Sequence, residues 1–374
     1  MLDRPKVMKE LQESANKLFI NLSSEFNLAK EIWEIITKDQ FFAQKIAAIK
    51  APWLIPSWIG NLSDVVTTIP NHQKSYTVFS VDGSQIYPDR HQGTSCCLIN
   101  IGSAALAYGK NQHVLFYSKP FVYVPDESSE IENPVELVNC RRQELEFAEG
   151  LSLASHLHTT FPSESPLFLF DGSLIFWHLE GKEQTIKDQF VGSYITSLQK
   201  FYDLKLPIVG YISLPKSKEL VNLIRLQLSN FDPYTNKNYK KIEHLVDTHI
   251  VSFFLEPFAR TTLFASNSGI VEYYPSHLKP YFFYLNVGEE IVRIEIPAWL
   301  TTDSQQIDTI INSIIDQTIK GHGYPVCLAE AHEQAVVKGP DREFFYHMIQ
   351  KIGYDCKQHL RISQKSLKKR GIGI

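Results

Sequence analysis

Two apolar runs in this chain end on the same three residues. Thr77-Val78-Phe79-Ser80-Val81 runs into Asp82-Gly83-Ser84, and Leu167-Phe168-Leu169-Phe170 runs into Asp171-Gly172-Ser173. Short runs rich in β-branched and aromatic residues read as strands, so each delivers one aspartate to a strand end. With a glycine beside it, such a carboxylate faces a metal ion or a phosphate without a side chain in the way. Asp-Gly is also a strong hairpin-turn signal, and a single copy would read as a turn. Two copies, both after β-rich runs, point to a metal-dependent phosphodiesterase site. The order of the remaining elements has to decide between these readings.

Residues from about Lys6 to Ile49 carry apolar positions at helical spacing, closed by Pro52 and Pro56. Three β-like stretches follow, Thr77 to Val81, Ser95 to Tyr108 and His113 to Val124, with short turn-rich links that favour antiparallel neighbours. A long helical stretch runs from about Pro134 to His158, with Asn133 as its cap and a proline in its first turn. Leu167 to Phe170 reads as a buried parallel strand. Lys182 to Tyr202 is a second helix, and Pro207 to Ile212 another apolar strand. The resulting order, β-β-β-α-β-α-β, is that of the ribonuclease H-like fold. The expected class is α/β, a ribonuclease H-like core with a mixed sheet plus N-terminal and C-terminal helical extensions.

The polar segment from about Gln227 to His249 reads as an excursion or mobile loop. Beyond it come β-like segments around Thr261 to Phe264, Tyr281 to Asn286 and Val292 to Ile296, then helices at Ser304 to Lys320, Cys327 to Val337 and Asp341 to Ile352. The expected domains are residues 1–60 as an N-terminal helical extension and 61–374 as the ribonuclease H-like domain, with an inserted loop near 227–250 and C-terminal helices.

Composition limits the alternatives. The formal net charge of −4 argues against a surface coated for nucleic acid, although a local basic channel remains compatible with it. Five cysteines, an odd set without CxxC spacing, read as reduced thiols of a cytoplasmic protein. The opening MLDRPKVMKELQESANKL lacks the apolar core of a secretory signal, and no run of 18 or more apolar residues suggests a membrane span. A GxxxxGK[ST] loop is absent, so any ATP hydrolysis belongs to a partner.

In a ribonuclease H-like order, acidic ligands sit on the first strand, the first long helix and the fourth strand. Those elements carry Asp82, a glutamate within RRQELEFAEG, and Asp171. Glu146 is the chosen helix ligand and Glu144 the alternative; two positions apart, they point to different helix faces. Clustered carboxylates need a compensating cation, and a divalent metal also lowers the pKa of bound water. Oxygen ligands suit Mg²⁺ or Mn²⁺, and an added imidazole shifts the balance toward Mn²⁺. Of thirteen histidines, His332 lies on a helix among small or apolar neighbours, where spacing alone reads it as packed or surface-exposed.

The chain resembles the NurA family of DNA-end-processing nucleases. The resemblance rests on SVDGSQIYPDRH, RRQELE, FLFDGSLIFW, EPFARTTLF, YFFYLNVG, VRIEIPAWL and GYPVCLAEAHEQAVV, in this order from Ser80 to Val337. It implies a manganese-dependent deoxyribonuclease, an exonuclease and/or single-strand endonuclease acting in double-strand break repair, with Mg²⁺ as the other possible cofactor. A homodimer and a HerA-type hexameric ATP-driven translocase as partner follow from the same resemblance. Asp82, Glu146, Asp171 and His332 are the metal ligands it implies.

Arg260 and Arg293 are either phosphate contacts or ion-pair partners, and Tyr324 either lines the site or packs in the apolar interior. The basic run Lys357, Arg361, Lys365, Lys368, Lys369 and Arg370 either touches a DNA backbone or is a solvated end. One rival reading is a non-catalytic DNA clamp or loading subunit of a translocase complex; another is a small-molecule phosphatase.

Overall fold

The computed structural model describes residues 2–68, 75–92, 96–109, 112–124, 134–160, 166–235 and 238–357. It is a mixed α/β protein built on one central mixed sheet. The strands that matter here are β1 (Tyr76–Ile86), β2 (Cys97–Tyr108), β3 (His113–Tyr123), β4 (Leu167–Asp171), β5 (Ile208–Ile212), β6 (Pro280–Asn286) and β7 (Ile291–Pro297). The helices are α1 (Ser23–Lys38), α2 (Pro134–Thr160), α3 (Gln184–Asp203), α4 (Glu219–Leu228), α5 (Ser304–Lys320), α6 (Val326–Ala335) and α7 (Gly339–Asp355).

Across the sheet the order runs Ser57–Trp58, Phe264–Ala265, β6, β7, β5, β4, β1, β2, β3. β1, β2 and β3 are antiparallel neighbours, whereas β1–β4 and β4–β5 are parallel. Thus the β-β-β-α-β-α-β order is realised, and the two aspartate-bearing strands lie side by side.

Period-two alternation sends the strand residues into two cores. Phe79, Val81, Phe168 and Phe170 face α2 and α3. Val78, Leu167, Leu169 and Tyr211 face α5 and α6. α5 shows why its segment is helical: Ile307, Ile310, Ile311, Ile314 and Ile315 recur on one face and are buried. Its cap, Asp303, accepts from the backbone N–H of Gln305 and Gln306.

Two expectations need correction. Asp82-Gly83-Ser84 is neither a turn nor a strand end. β1 continues through it to Ile86, because β2 pairs with it residue for residue, Asp82 opposite Gly102. The 227–249 segment, where described, is no loose excursion: Ile242 and Leu245 are fully buried in a core shared with α1, α4 and the short helix Asp247–Val251. Buried apolar anchors between polar residues hold it down. The Asn133 cap lies outside the described residues, as does the basic run beyond Lys357. No two of the five cysteines are joined in a disulfide. Among the described residues, no helix is long and apolar enough to cross a membrane.

Candidate active site

Parallel register sets the two aspartates level with one another. Phe79 stands opposite Phe168, and their rings stack at 4.9 Å. Carried three residues on, the same register brings Asp82 beside Asp171. Both follow the alternation of the face that carries α6, and both meet partners there. Tyr324, just before α6, donates its hydroxyl to Asp171 Oδ2 at 2.8 Å. His332 on α6 places Nδ1 2.8 Å from Asp82 Oδ2.

Gly102 makes the His332 contact possible. A Cβ at this position would sit 2.2 Å from the backbone nitrogen of Ala335 and 2.4 Å from the carbonyl oxygen of Ala331. Only glycine lets α6 close onto β2 there. Asn100 Nδ2 and Ser84 Oγ donate to the Ala335 carbonyl, at 2.9 and 2.5 Å, and fasten the helix end.

Glu146 arrives from the opposite face of the sheet, on α2. Gly83 makes room for it: a Cβ there would lie 2.7 Å from Glu146 Oε1 and 2.6 Å from Arg142 Cγ. The motif therefore works on both faces at once, with the aspartate toward α6 and the glycine admitting the glutamate from α2. Glu146 is buried, while Glu144 pairs with Arg141 at 2.6 Å. Of the two, Glu146 lines the pocket that Asp82 and Asp171 share.

One helical turn before Glu146, Arg142 donates to the Gly83 carbonyl at 2.7 Å. Its Nη1 lies 3.3 Å from Glu146 Oε1 and 4.0 Å from Asp82 Oδ1. Asp82, Glu146 and Asp171 line one pocket together with Arg142, Trp177 and His178. His332 is not among the residues lining that pocket but stands beside it, bonded to Asp82.

The electrostatics are those of a cation-deficient cluster. Burial pushes Glu146 up to about 8, and the charges of Asp82 and Asp171 add to the rise against the pull of Arg142. Asp171 is raised as well, by burial first and then by Asp82, while the Tyr324 hydroxyl opposes the shift. Burial lowers His178 and favours its neutral ring. Among the described residues, no three His, Cys, Asp or Glu side chains are gathered closely enough to grip a metal as they stand. The donor set nevertheless fits a divalent cation. Three carboxylates and an imidazole are the oxygen-rich mixture that suits Mn²⁺ or Mg²⁺, and a cation would offset the charges of Asp82 and Asp171 that add to the rise at Glu146.

Neither arginine singled out for phosphate faces the pocket. Arg293 is buried and pairs with Glu219 and Glu295. Arg260 is buried and donates to the Thr261 carbonyl. Tyr324, by contrast, does line the site. Sequence reasoning missed Arg142 altogether. Its spacing of four from Glu146 was visible, but nothing local said that this face turns inward.

A family model described as the NurA domain matches residues 76–337, from the start of β1 to just past α6. No curated protein matches the chain at a significant level. Among solved structures, a crystal structure of NurA is similar at a TM-score of 0.40 with 11% identity, covering 93% of this chain and 98% of its own. A crystal structure of NurA with manganese is similar at 0.40 with 13% identity, covering 91% and 98%. The catalytic domain of human endonuclease V follows at 0.34 with 13% identity, covering 86% and 98%.

Proposed function

The chain belongs to the NurA family, and from that premise we propose that it is a divalent-metal-dependent DNA nuclease. One observation carries the reading: Asp82 and Asp171 stand level on adjacent parallel strands, with Glu146 buried against them and pushed up to about 8. A site that only stabilised the fold would neutralise such carboxylates with fixed donors. We read β1 to β5 with α2 and α3 as a ribonuclease H-like core within residues 61–374. Residues 1–60 are read as an extension of it.

Asp82, Glu146, Asp171 and His332 would hold Mn²⁺, or Mg²⁺ in its place. Bound there, the ion would lower the pKa of a water and offset charge on the phosphodiester. The chain's own groups do the rest. Asp82 orients His332 through Nδ1, which leaves Nε2 as the atom this ring would offer to the site. The Tyr324 hydroxyl holds the Asp171 carboxylate in one orientation. Glu146 must lose its proton before it can serve as a ligand, so metal binding releases a proton. Arg142 supplies positive charge beside the carboxylates, within reach of a phosphate oxygen brought into the pocket.

The same reading makes the protein a cytoplasmic homodimer that processes DNA ends in double-strand break repair beside a HerA-type translocase. End-labelled DNA incubated with Mn²⁺, Mg²⁺ or no metal tests it, with wild type and Asp82→Ala in parallel. Metal-dependent cleavage by wild type alone is the expected result; equal cleavage by Asp82→Ala would refute the site. A DNA clamp, the rival reading, would show no tight Mn²⁺ site by calorimetry.

A further inference from the structure

The turn that follows Asp171 has two hydrogen bonds of its own, from Gly172 N–H to the Phe170 carbonyl and from Ile175 N–H to Ser173 Oγ, each at 3.0 Å, but it does not rest on these alone. It leans across β5 and ends on a buried carboxylate of β7. Gly210 on β5 pairs with Glu295 on β7, and it lets the turn through: a Cβ on Gly210 would lie 2.6 Å from the Gly172 carbonyl oxygen. The Gly172 N–H donates to the Tyr211 carbonyl at 3.1 Å. Beyond it, a single oxygen of Glu295 collects the turn. Oε2 accepts from Ser173 Oγ at 2.7 Å, from Leu174 N at 2.8 Å and from Ile175 N at 3.3 Å.

The other oxygen of Glu295 accepts from Arg293 Nε at 2.8 Å. Arg293 in turn pairs with Glu219 at the start of α4, donates to Ser217 Oγ at 3.2 Å and lies over the Phe282 ring. Glu295 itself is fully buried. A carboxylate saturated by backbone N–H groups and locked by a buried arginine cannot rotate without leaving several donors unmet. The nearest carboxylate along the chain to that anchored turn is Asp171.

We infer that Glu295 is a positioning residue of the catalytic site, which holds the Asp171-Gly172-Ser173 turn and thereby fixes where the Asp171 carboxylate stands. The inference rests on the nuclease reading and adds to it a residue 124 positions away from Asp171 that touches neither DNA nor metal. Loss of a buried partner that orients a ligand costs about tenfold to a hundredfold in activity or metal affinity. The loss should fall on kcat and on the Mn²⁺ requirement, with KM for DNA unchanged, because no DNA contact is removed.

The test compares Glu295→Gln with Ile36→Ala, a truncation in the separate core around α1 and α4 that destabilises without touching the turn. Hydrogen–deuterium exchange, calorimetric Mn²⁺ titration and steady-state cleavage are read on all three proteins. Glu295→Gln should speed exchange across 172–176, weaken Mn²⁺ binding and lower kcat about tenfold or more, with KM held within about twofold. Ile36→Ala should lose melting temperature and keep kcat. Unchanged exchange in the turn would overturn the inference, as would full kcat with a loosened turn. An equal loss of kcat in Ile36→Ala would do the same, since the effect would then be general destabilisation. If Glu295→Gln does not fold, Ser173→Ala removes one of the anchor's bonds and is judged by the same readouts. Exchange and Mn²⁺ binding need no cleavage, so a wild type that does not cut DNA would refute the proposed function and leave the anchor measurable.

Discussion

Two of the regions that bury carboxylates treat them in opposite ways. Around Arg293, Glu219 and Glu295 flank one guanidinium, and Glu295 takes its remaining hydrogen bonds from the turn after Asp171. Nearby, Asp247 accepts from the N–H groups of Glu219, Leu220 and Val221 and from the Tyr284 hydroxyl. At the pocket, Glu146 faces Asp82 and Asp171, offset by Arg142 and by a hydrogen bond with the Gly83 backbone. Burial raises Asp247 to about 6, held there by its donors, and raises Glu146 to about 8. A buried carboxylate met by fixed donors serves the fold. One met by other carboxylates has room for a cation, and that contrast separates scaffold from site.

The contrast can be broken at several points. The largest effect is expected at the pocket, where Asp82→Ala or Asp171→Ala should cost about a thousandfold or more in kcat with a nearly unchanged melting temperature. Cleavage assays beside thermal melts would check both halves. Next comes Arg293→Met in the scaffold network. It leaves two buried carboxylates without their cation and should destabilise by about 3–5 kcal/mol in urea unfolding. A near-neutral result would erase the distinction between the regions.

Glu146→Gln sharpens it from the other side. The amide removes a charge that is costly to bury, so at pH 8 the metal-free variant should be more stable than wild type by on the order of 1–2 kcal/mol, yet inactive. The sign follows from the raised pKa. Between its ordinary value of 4.5 and about 8, folded Glu146 binds more proton than it does unfolded. Its contribution to stability is therefore full below that window and is lost as pH rises through it. Denaturant melts of the metal-free protein should show this decline, flattened in Glu146→Gln, while Mn²⁺ affinity rises over the same range. The smallest effect is expected for Tyr324→Phe, which removes one hydrogen bond to Asp171 and should lower kcat by about three- to tenfold.

Much of this arrangement is legible in the amino-acid sequence. The β-β-β-α-β-α-β order and the Ser304–Lys320 helix follow from hydrophobic periodicity, a local property of neighbouring residues. The turn signal at Asp82-Gly83 misleads because pairing with β2 overrides local turn preference. The folding of the described residues within 227–249 is hidden because their few apolar anchors are spaced among polar residues. His332 and Tyr324 come from elsewhere in the chain, and spacing says nothing about which helix will close over a strand 250 residues away.

Sequence alone determined that an aspartate follows each of two apolar strands, the first and the fourth, since alternation and apolar runs are written residue by residue; their matched register came with the pairing. Tertiary structure decided the rest of the site. It put Glu146 rather than Glu144 on the pocket wall, seated Arg142 among the carboxylates, set His332 against Asp82 over Gly102, and tied the Asp171 turn to Glu295. Each of these depends on a close approach that only a missing Cβ permits, or on a buried charge that only a distant partner can satisfy. Neither quantity exists until the chain has folded.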